Sequence, residues 1–297
     1  MSRDKLELTN LSKLYWPDEK ITKGDLIDYY ESVSRYILPY LKNRPLSLKR
    51  NPNGIKDAGF YHKDAGDIAP DWMKTADIHS PSSNKTIHYL VCNEKKSLLF
   101  IANLGCIEMN PWNSTTAKLD FPDYFVIDID PSEKNSFDEV IETAQVVKSI
   151  CEKGGIPAYC KTSGASGLHI YIPCKKKYEY DTVRDFAQVL ASLVHEQLPG
   201  ITTLERSLSR RKKNHIYIDY LQNSRGQTLA SAYSVRPKPG ASVSAPLEWK
   251  EVKKGLHPSQ FTIKNMLKRI EKKGDLFKPV LGRGANIPLA IKKLGID

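Results

Sequence analysis

Two aspartates, Asp128 and Asp130 in the run YFVIDID over residues 124–130, are the first residues whose type and spacing point to chemistry. On an extended strand alternate side chains share a face, so both carboxylates project the same way, about 7 Å apart along the chain. Strands seldom carry Asp, and like charges on one face repel. Asp219, in HIYIDYL, stands at matching parity in a second strand-like run. Crowded carboxylates either force one of their number to keep its proton or hold a cation. Oxygen donors at this density suit a hard ion such as Mg²⁺ or Mn²⁺ rather than zinc or copper. Two such ions, about 3.5–4 Å apart, can clamp the entering and leaving oxygens of a phosphoryl transfer. The alternative for an isolated Asp-x-Asp is an ordinary turn or strand edge.

Three further features bear on the same chemistry. In KTSGASGLHIYIP, small residues let backbone N–H groups close on an anion, and the Ser163 and Ser166 hydroxyls add donors. A plain hairpin turn reads the same way. His169, just beyond, is either a phosphate contact or a satisfied buried imidazole. The basic run RSLSRRKKNH, with Arg210, Arg211, Lys212 and Lys213, and Arg236 in AYSVRPKPG, can hold a triphosphate or a nucleic-acid backbone. A solvated loop is its plainer reading. Phe60 and Tyr61 offer a base-stacking platform or simply pack into a core.

These residues need elements to position them. An N-terminal helix is expected after Thr22, with Asp25 closing a capping box and an apolar stripe of Leu26, Tyr30, Val33, Ile37 and Leu41. RPLSLKR reads as a strand entering a turn at Asn53-Gly54, and TIHYLVC and SLLFIANLGCIEM as two further β runs. From 124 to 221 the order is β-α-β-β-α-β. Its first helix is capped at Ser136 with Glu139 and stops at Gly154-Gly155; its second runs from about Asp181 to Leu198. That order is the split βαβ, ferredoxin-like or RRM-like unit. With strands ordered 4-1-3-2 and both helices on one face, Ile127, Ile129, Leu168, Ile170, Ile216 and Ile218 face the helices. Asp128, Asp130, Asp219 and His169 then gather on the open face. One more helix is expected at roughly 259–272, and the tail after Gly282 reads as short, basic and loosely held.

The 297 residues carry a formal net charge of +11, which favours polyanionic partners, nucleic acid first and an anionic membrane second. No apolar run approaches the roughly 20 residues that span a bilayer, and the N-terminus lacks a signal-peptide core. Five cysteines without CxxC spacing read as reduced thiols of a cytoplasmic protein.

Taken in order, LTNLSKLYWP, TKGDLIDYY, RPLSLKRNPNG, FYHKD, LGCIEMNPW, DYFVIDIDPS, KTSGASGLHIYIP, YIDYLQN and AYSVRPKPGASVS resemble the polymerase domain of bacterial and archaeal ligase D, a member of the archaeo-eukaryotic primase superfamily. The resemblance runs from about residue 6 to 282. It implies an α+β primase-polymerase fold in one domain. An N-terminal α/β subregion would span about 1–120, a catalytic core 121–222, a C-terminal subregion 223–282 and a tail 283–297. It further implies a template-directed nucleotidyltransferase that fills gaps and extends DNA ends in non-homologous end joining, favours ribonucleotides and uses two Mn²⁺ or Mg²⁺ ions with NTP or dNTP. Asp128, Asp130 and Asp219 then correspond to the metal triad. Ser163, Gly164, Ser166, His169, Gln222, Asn223, Arg236 and Asn110 fall at nucleotide-pocket positions. Lys13 and Lys23 match the pair that recognises a downstream 5′-phosphate; Phe60 and Tyr61 match template-stacking aromatics; Arg210 and Arg211 fall on the DNA side. Asn110 stands where many members have His, and Ser166 where many have Lys. Gapped DNA, a Ku-like protein and a separate ligase are the implied partners, with no membrane, in the cytoplasm at the nucleoid. The competing readings of the same residues are a two-metal nuclease and a non-catalytic DNA-end-binding module.

Overall fold

A computed structural model describes residues 6–81 and 83–296. The chain divides into two compact units, each discontinuous in sequence. Residues 6–117, 228–244 and 261–272 form the first, and 118–227, 245–260 and 273–296 the second. The segments expected to form a separate C-terminal subregion are therefore shared between the two units.

In the first unit, strands β1 (Leu14–Trp16) and β2 (Ile21–Thr22) form a small antiparallel pair that leads into helix α1 (Lys23–Leu41). The capping box is present: Thr22 Oγ accepts from the Asp25 N–H at 3.1 Å, and the Asp25 carboxylate accepts from the Thr22 N–H at 2.7 Å. The apolar stripe from Leu26 to Leu41 is buried. Strand β3 (Leu46–Arg50) is the centre of a three-stranded sheet, between β4 (Phe60–His62) and a later strand, Cys106–Pro111. Gly54, at φ 84°, closes the expected turn with its N–H on Asn51 O at 3.0 Å. A side chain there would meet the Tyr15 carbonyl at 2.6 Å, so glycine is required. Strands β5 (Thr75–Ser80) and β6 (Lys85–Leu90) make a separate hairpin.

One sequence expectation fails here. SLLFIAN is not a strand but helix α2 (Lys95–Asn103), and only CIEM continues as β7 (Cys106–Pro111). Ser97, Leu98, Leu99, Ile101 and Ala102 are all buried. Phe100, on the less buried side of the helix, is itself apolar, so LLFIA reads as one short continuous apolar run, which does not separate helix from strand.

The second unit is built on a six-stranded sheet. Strand β8 (Tyr124–Asp130) leads to α3 (Phe137–Gly154), then β9 (Tyr159–Thr162), β10 (Leu168–Pro173), α4 (Tyr180–Gln197), β11 (Thr202–Thr203) and β12 (Ile216–Asp219), with β13 (Pro246–Leu247) added at the edge. The order across the sheet is β11-β12-β8-β10-β9-β13, so the four strands of the split βαβ unit lie 4-1-3-2. The Ser136–Glu139 capping box starts α3, and Gly155 at φ 68° ends it. Both helices pack on one face of the sheet, where Phe125 of β8 meets Phe186 of α4 edge to face at 6.0 Å.

Two boundaries differ from expectation. The late helix is only α5 (Met266–Lys273), because residues 258–260 form a single 3₁₀ turn and the Thr262 N–H is held by Asn265 Oδ1 at 3.0 Å. The tail is not loose: Ala285 N–H donates to Pro173 O at 2.7 Å, Asn286 caps α6 (Ile287–Leu294), and Ile287 and Ala290 are buried. The apolar residues of IPLAI supply a packing face that the basic residues around them mask in the sequence. Among the described residues no helix is long and apolar enough to cross a membrane.

Candidate active site

Strand register builds the centre of the second unit. Asp219 of β12 lies directly opposite Asp128 of β8, His169 of β10 opposite Asp128, and Lys161 of β9 opposite His169. The four form one row across four strands, and Asp130 stands on the same face one strand-repeat beyond Asp128. The face is open only at one end: Lys161 and His169 are buried, Asp128 is 13% exposed and Asp130 53% exposed.

The row is electrostatically uneven. Directly opposed like charges destabilise a sheet, and Asp128 and Asp219 are such a pair. His169 Nε2 lies 3.4 Å from Asp128 Oδ1. Asp219 Oδ1 accepts from the Tyr217 hydroxyl at 3.2 Å and the Leu221 N–H at 2.8 Å, while its Oδ2 accepts from Gln222 Nε2 at 3.2 Å. The Asp130 carboxyl is pushed above the usual range, first by desolvation and also by Asp219, against the pull of Arg211. Arg211 Nη1 lies 3.7 Å from Asp130 Oδ2, and its guanidinium stacks 4.1 Å above the Tyr217 ring.

Whether this donor set fits a metal follows from these contacts. All three carboxylates share a face and supply only hard oxygen ligands, and repulsion among them is incompletely offset, which is what a divalent cation would relieve. Among the described residues, however, no three His, Cys, Asp or Glu groups already converge as a ready cage. The oxygens of Asp219 and Asp130 are turned toward the chain's own donors, so a cation would have to draw them away from Gln222 and Arg211. The donor chemistry fits a hard divalent ion.

The loop between β9 and β10 is closed on itself. Ser163 Oγ accepts from the N–H groups of Ala165 and Gly167, each at 3.0 Å, and the Ser163 N–H donates to Gly167 O at 2.9 Å. Gly164 takes φ 73°, and a Cβ on Gly167 would sit 2.1 Å from the Ile129 carbonyl. The loop is thus pressed onto β8 beside the carboxylates. Ser166 is exposed at its tip.

Some expected site residues have other tasks. Asn223 is fully buried: its Oδ1 accepts from Val126 N–H at 2.8 Å, and its Nδ2 donates to Val126 O at 2.7 Å and Tyr220 O at 2.9 Å. After Asp219 the chain turns away from β8, and this amide replaces the missing strand partner. Asn223 therefore holds the sheet instead of facing a nucleotide. Arg211, 10% exposed and anchored on the Glu205 and Arg206 carbonyls, is part of the carboxylate site and not of an open DNA face. Arg210 is exposed and pairs with Glu205 at 3.2 Å.

The remaining expected residues belong to the first unit. Lys13 and Lys23 are brought together by a backbone bond from Lys23 N–H to Lys13 O at 2.8 Å. Lys13 Nζ reaches Asn53 Oδ1, and the buried Lys23 Nζ donates to Thr9 O at 2.7 Å and Asn103 Oδ1 at 2.8 Å. Burial, then the Lys13 charge, lowers the Lys23 pKa from its ordinary value. Phe60 and Tyr61 are exposed on edge strand β4, with Arg50 over the Phe60 ring and Lys49 over the Tyr61 ring. Arg236 Nε lies 2.7 Å from the Oε2 of buried Glu108, and buried Asn110 donates to the Glu108 backbone carbonyl at 3.4 Å. Burial and then Glu108 raise the Tyr61 hydroxyl pKa.

Glu108, Arg211 as a carboxylate partner, and Lys161 were not singled out from the sequence. A signal existed for Lys161: a tight turn that sets Thr162 opposite Leu168 places Lys161 beside His169.

Comparison with known proteins gives a consistent result. Residues 22–277 match the family described as LigD, primase-polymerase domain. The bifunctional non-homologous end joining protein LigD of Bacillus subtilis is 35% identical over 91% of this chain and 43% of its own length. The multifunctional LigD protein of Mycolicibacterium smegmatis is 27% identical over 97% of this chain and 37% of its length. The chain thus spans less than half of these curated relatives. The solved polymerase domain of Mycobacterium tuberculosis ligase D in complex with DNA superposes with a TM-score of 0.87 at 26% identity, covering 95% of this chain and all of that one.

Proposed function

The chain belongs to the LigD primase-polymerase domain family, whose members are nucleotidyltransferases with polymerase function, and from that premise we propose that it fills gaps and extends DNA ends in non-homologous end joining, with a preference for ribonucleotides. The observation that carries the reading is the registered row of Asp219, Asp128 and His169 beside the closed Ser163 loop.

Two Mn²⁺ or Mg²⁺ ions held by Asp128, Asp130 and Asp219 would neutralise the triphosphate and make the primer 3′-hydroxyl a better nucleophile. The chain's own groups do the positioning. Asp219, at the end of β12, orients the 3′-hydroxyl. Ser163 through its hydroxyl proton, with Gly164 and Ser166 of the same loop, supplies donors for phosphate oxygens, and His169 adds an imidazole N–H. Arg236, oriented by Glu108, contacts phosphate through its guanidinium, with Gln222 and Asn110 as amide contacts. Lys13 and Lys23 bind the 5′-phosphate of the downstream strand, and Phe60 and Tyr61 stack on template bases. The partners are gapped DNA, NTPs, a Ku-like protein and a ligase activity, in the cytoplasm at the nucleoid.

Primer extension tests this on gapped duplexes with and without a downstream 5′-phosphate, comparing rNTP with dNTP and Mn²⁺ with Mg²⁺. Templated addition is expected, strongest with rNTP, Mn²⁺ and the 5′-phosphate. Shortening of the primer without nucleotide would indicate a nuclease instead. Binding that depends on Lys13 and Lys23 with no extension under any condition would indicate a binding module.

A further inference from the structure

Lys161 is a buried charge to which the chemistry above assigns no task. It is fully enclosed within β9, and lysines are almost never buried without a partner. Its Nζ lies 2.9 Å from His169 Nδ1 and 5.4 Å from the centre of the Tyr171 ring. The hairpin register imposes the first contact, since Thr162 opposite Leu168 sets Lys161 opposite His169. An ammonium group donates hydrogen bonds and accepts none. The contact at 2.9 Å therefore needs a lone pair on Nδ1, which leaves the ring proton on Nε2. That nitrogen faces Asp128 Oδ1 at 3.4 Å, an acceptor. One tautomer satisfies both neighbours. In the other, the ammonium would meet an N–H and the Nε2 lone pair would meet a carboxylate.

We propose that Lys161 is a positioning residue that fixes His169 in its Nε2–H form. It keeps one imidazole N–H directed along the row toward Asp128 and, on the polymerase reading above, ready for a phosphate oxygen of the incoming nucleotide. A partner on one imidazole nitrogen commonly sets what the other can do. Here that partner is a cation in the sheet, next to the residue it orients.

The direct test is nitrogen NMR of the full chain, ¹⁵N-labelled at histidine and free of metal and nucleotide, with the His169 signals identified by their loss in His169→Gln. In the wild type, Nδ1 should resonate as an unprotonated nitrogen and Nε2 as a protonated one. Lys161→Met keeps the apolar stem and removes the donor, so the ring should become a tautomer mixture or reverse. Lys161→Arg should retain the wild-type pattern. In single-nucleotide extension, Lys161→Met should raise KM for nucleotide about tenfold and leave KM for primer–template unchanged, with Lys161→Arg recovering most of the loss. A wild-type proton on Nδ1, or an unchanged ring pattern in folded Lys161→Met, overturns the proposal. Should Lys161→Met not fold, the wild-type and Lys161→Arg spectra decide in the same way. Absence of extension by the wild type would contradict the polymerase reading, while the spectra would still decide the tautomer.

Discussion

The aspartate row of the second unit, which runs from half-buried Asp219 and Asp128 to exposed Asp130, and the largely buried Glu108–Arg236 pair of the first hold charge in opposite ways. In the pair, carboxylate and guanidinium meet at 2.7 Å and neutralise each other. In the row, Asp128 and Asp219 face each other as like charges, and the carboxyl of Asp130 is raised by burial and by Asp219 despite Arg211. A self-neutralised pair is complete as folded. A cluster left in repulsion keeps its stabilisation in reserve for what binds there, the usual compromise between stability and activity.

That contrast predicts mutational effects of opposite sign. Glu108→Ala should be the most damaging to stability, by about 3 kcal/mol in denaturant unfolding, because it strands a largely buried guanidinium. Glu108→Gln, which keeps an acceptor, should lose less. An equal loss in both would mean that the charge, and not the hydrogen bond, is what holds Arg236.

Asn223→Ala comes next, at about 2 kcal/mol, since the Val126 N–H and carbonyl would both lose their partner. A negligible change would show that water or backbone replaces the amide and that Asn223 is not the strand substitute inferred from its contacts.

Asp130→Asn has the smallest effect and the opposite sign: the variant should equal or slightly exceed the wild type in stability near neutral pH. The pH dependence follows from the raised carboxyl. In the folded state Asp130 holds its proton above the ordinary 3.8, so between that value and its raised one the native state binds more protons than the unfolded chain. Wild-type stability therefore falls as pH rises through that window. The gap between Asp130→Asn and the wild type should widen from pH 4 toward neutrality and then stay constant. A gap that narrows would reverse the assigned direction.

The same contrast explains what the sequence disclosed. The carboxylate row rests on period-two alternation and on a β-α-β-β-α-β order, and both are visible in residue spacing. Parity of Asp128, Asp130 and Asp219 together with the 4-1-3-2 strand order places them on one face without any knowledge of side-chain contacts. The partners of Glu108, Lys23 and Asn223 depend instead on residues far off in sequence, such as Arg236, Asn103 and Val126, or on where a strand ends. Period carries no information about them. Helix α2 was hidden because Phe100 on its less buried side makes LLFIA a continuous apolar run, and α6 because lysines flank a short apolar core.

The most direct test of the central claim, that the aspartate row carries metal-dependent nucleotidyl transfer, is single-nucleotide extension on a gapped duplex with a downstream 5′-phosphate, comparing the wild type with the Asp128→Ala, Asp130→Ala double variant in Mn²⁺. Extension should fall to background while the unfolding midpoint stays at or above that of the wild type. Extension persisting in a folded double variant would contradict the account.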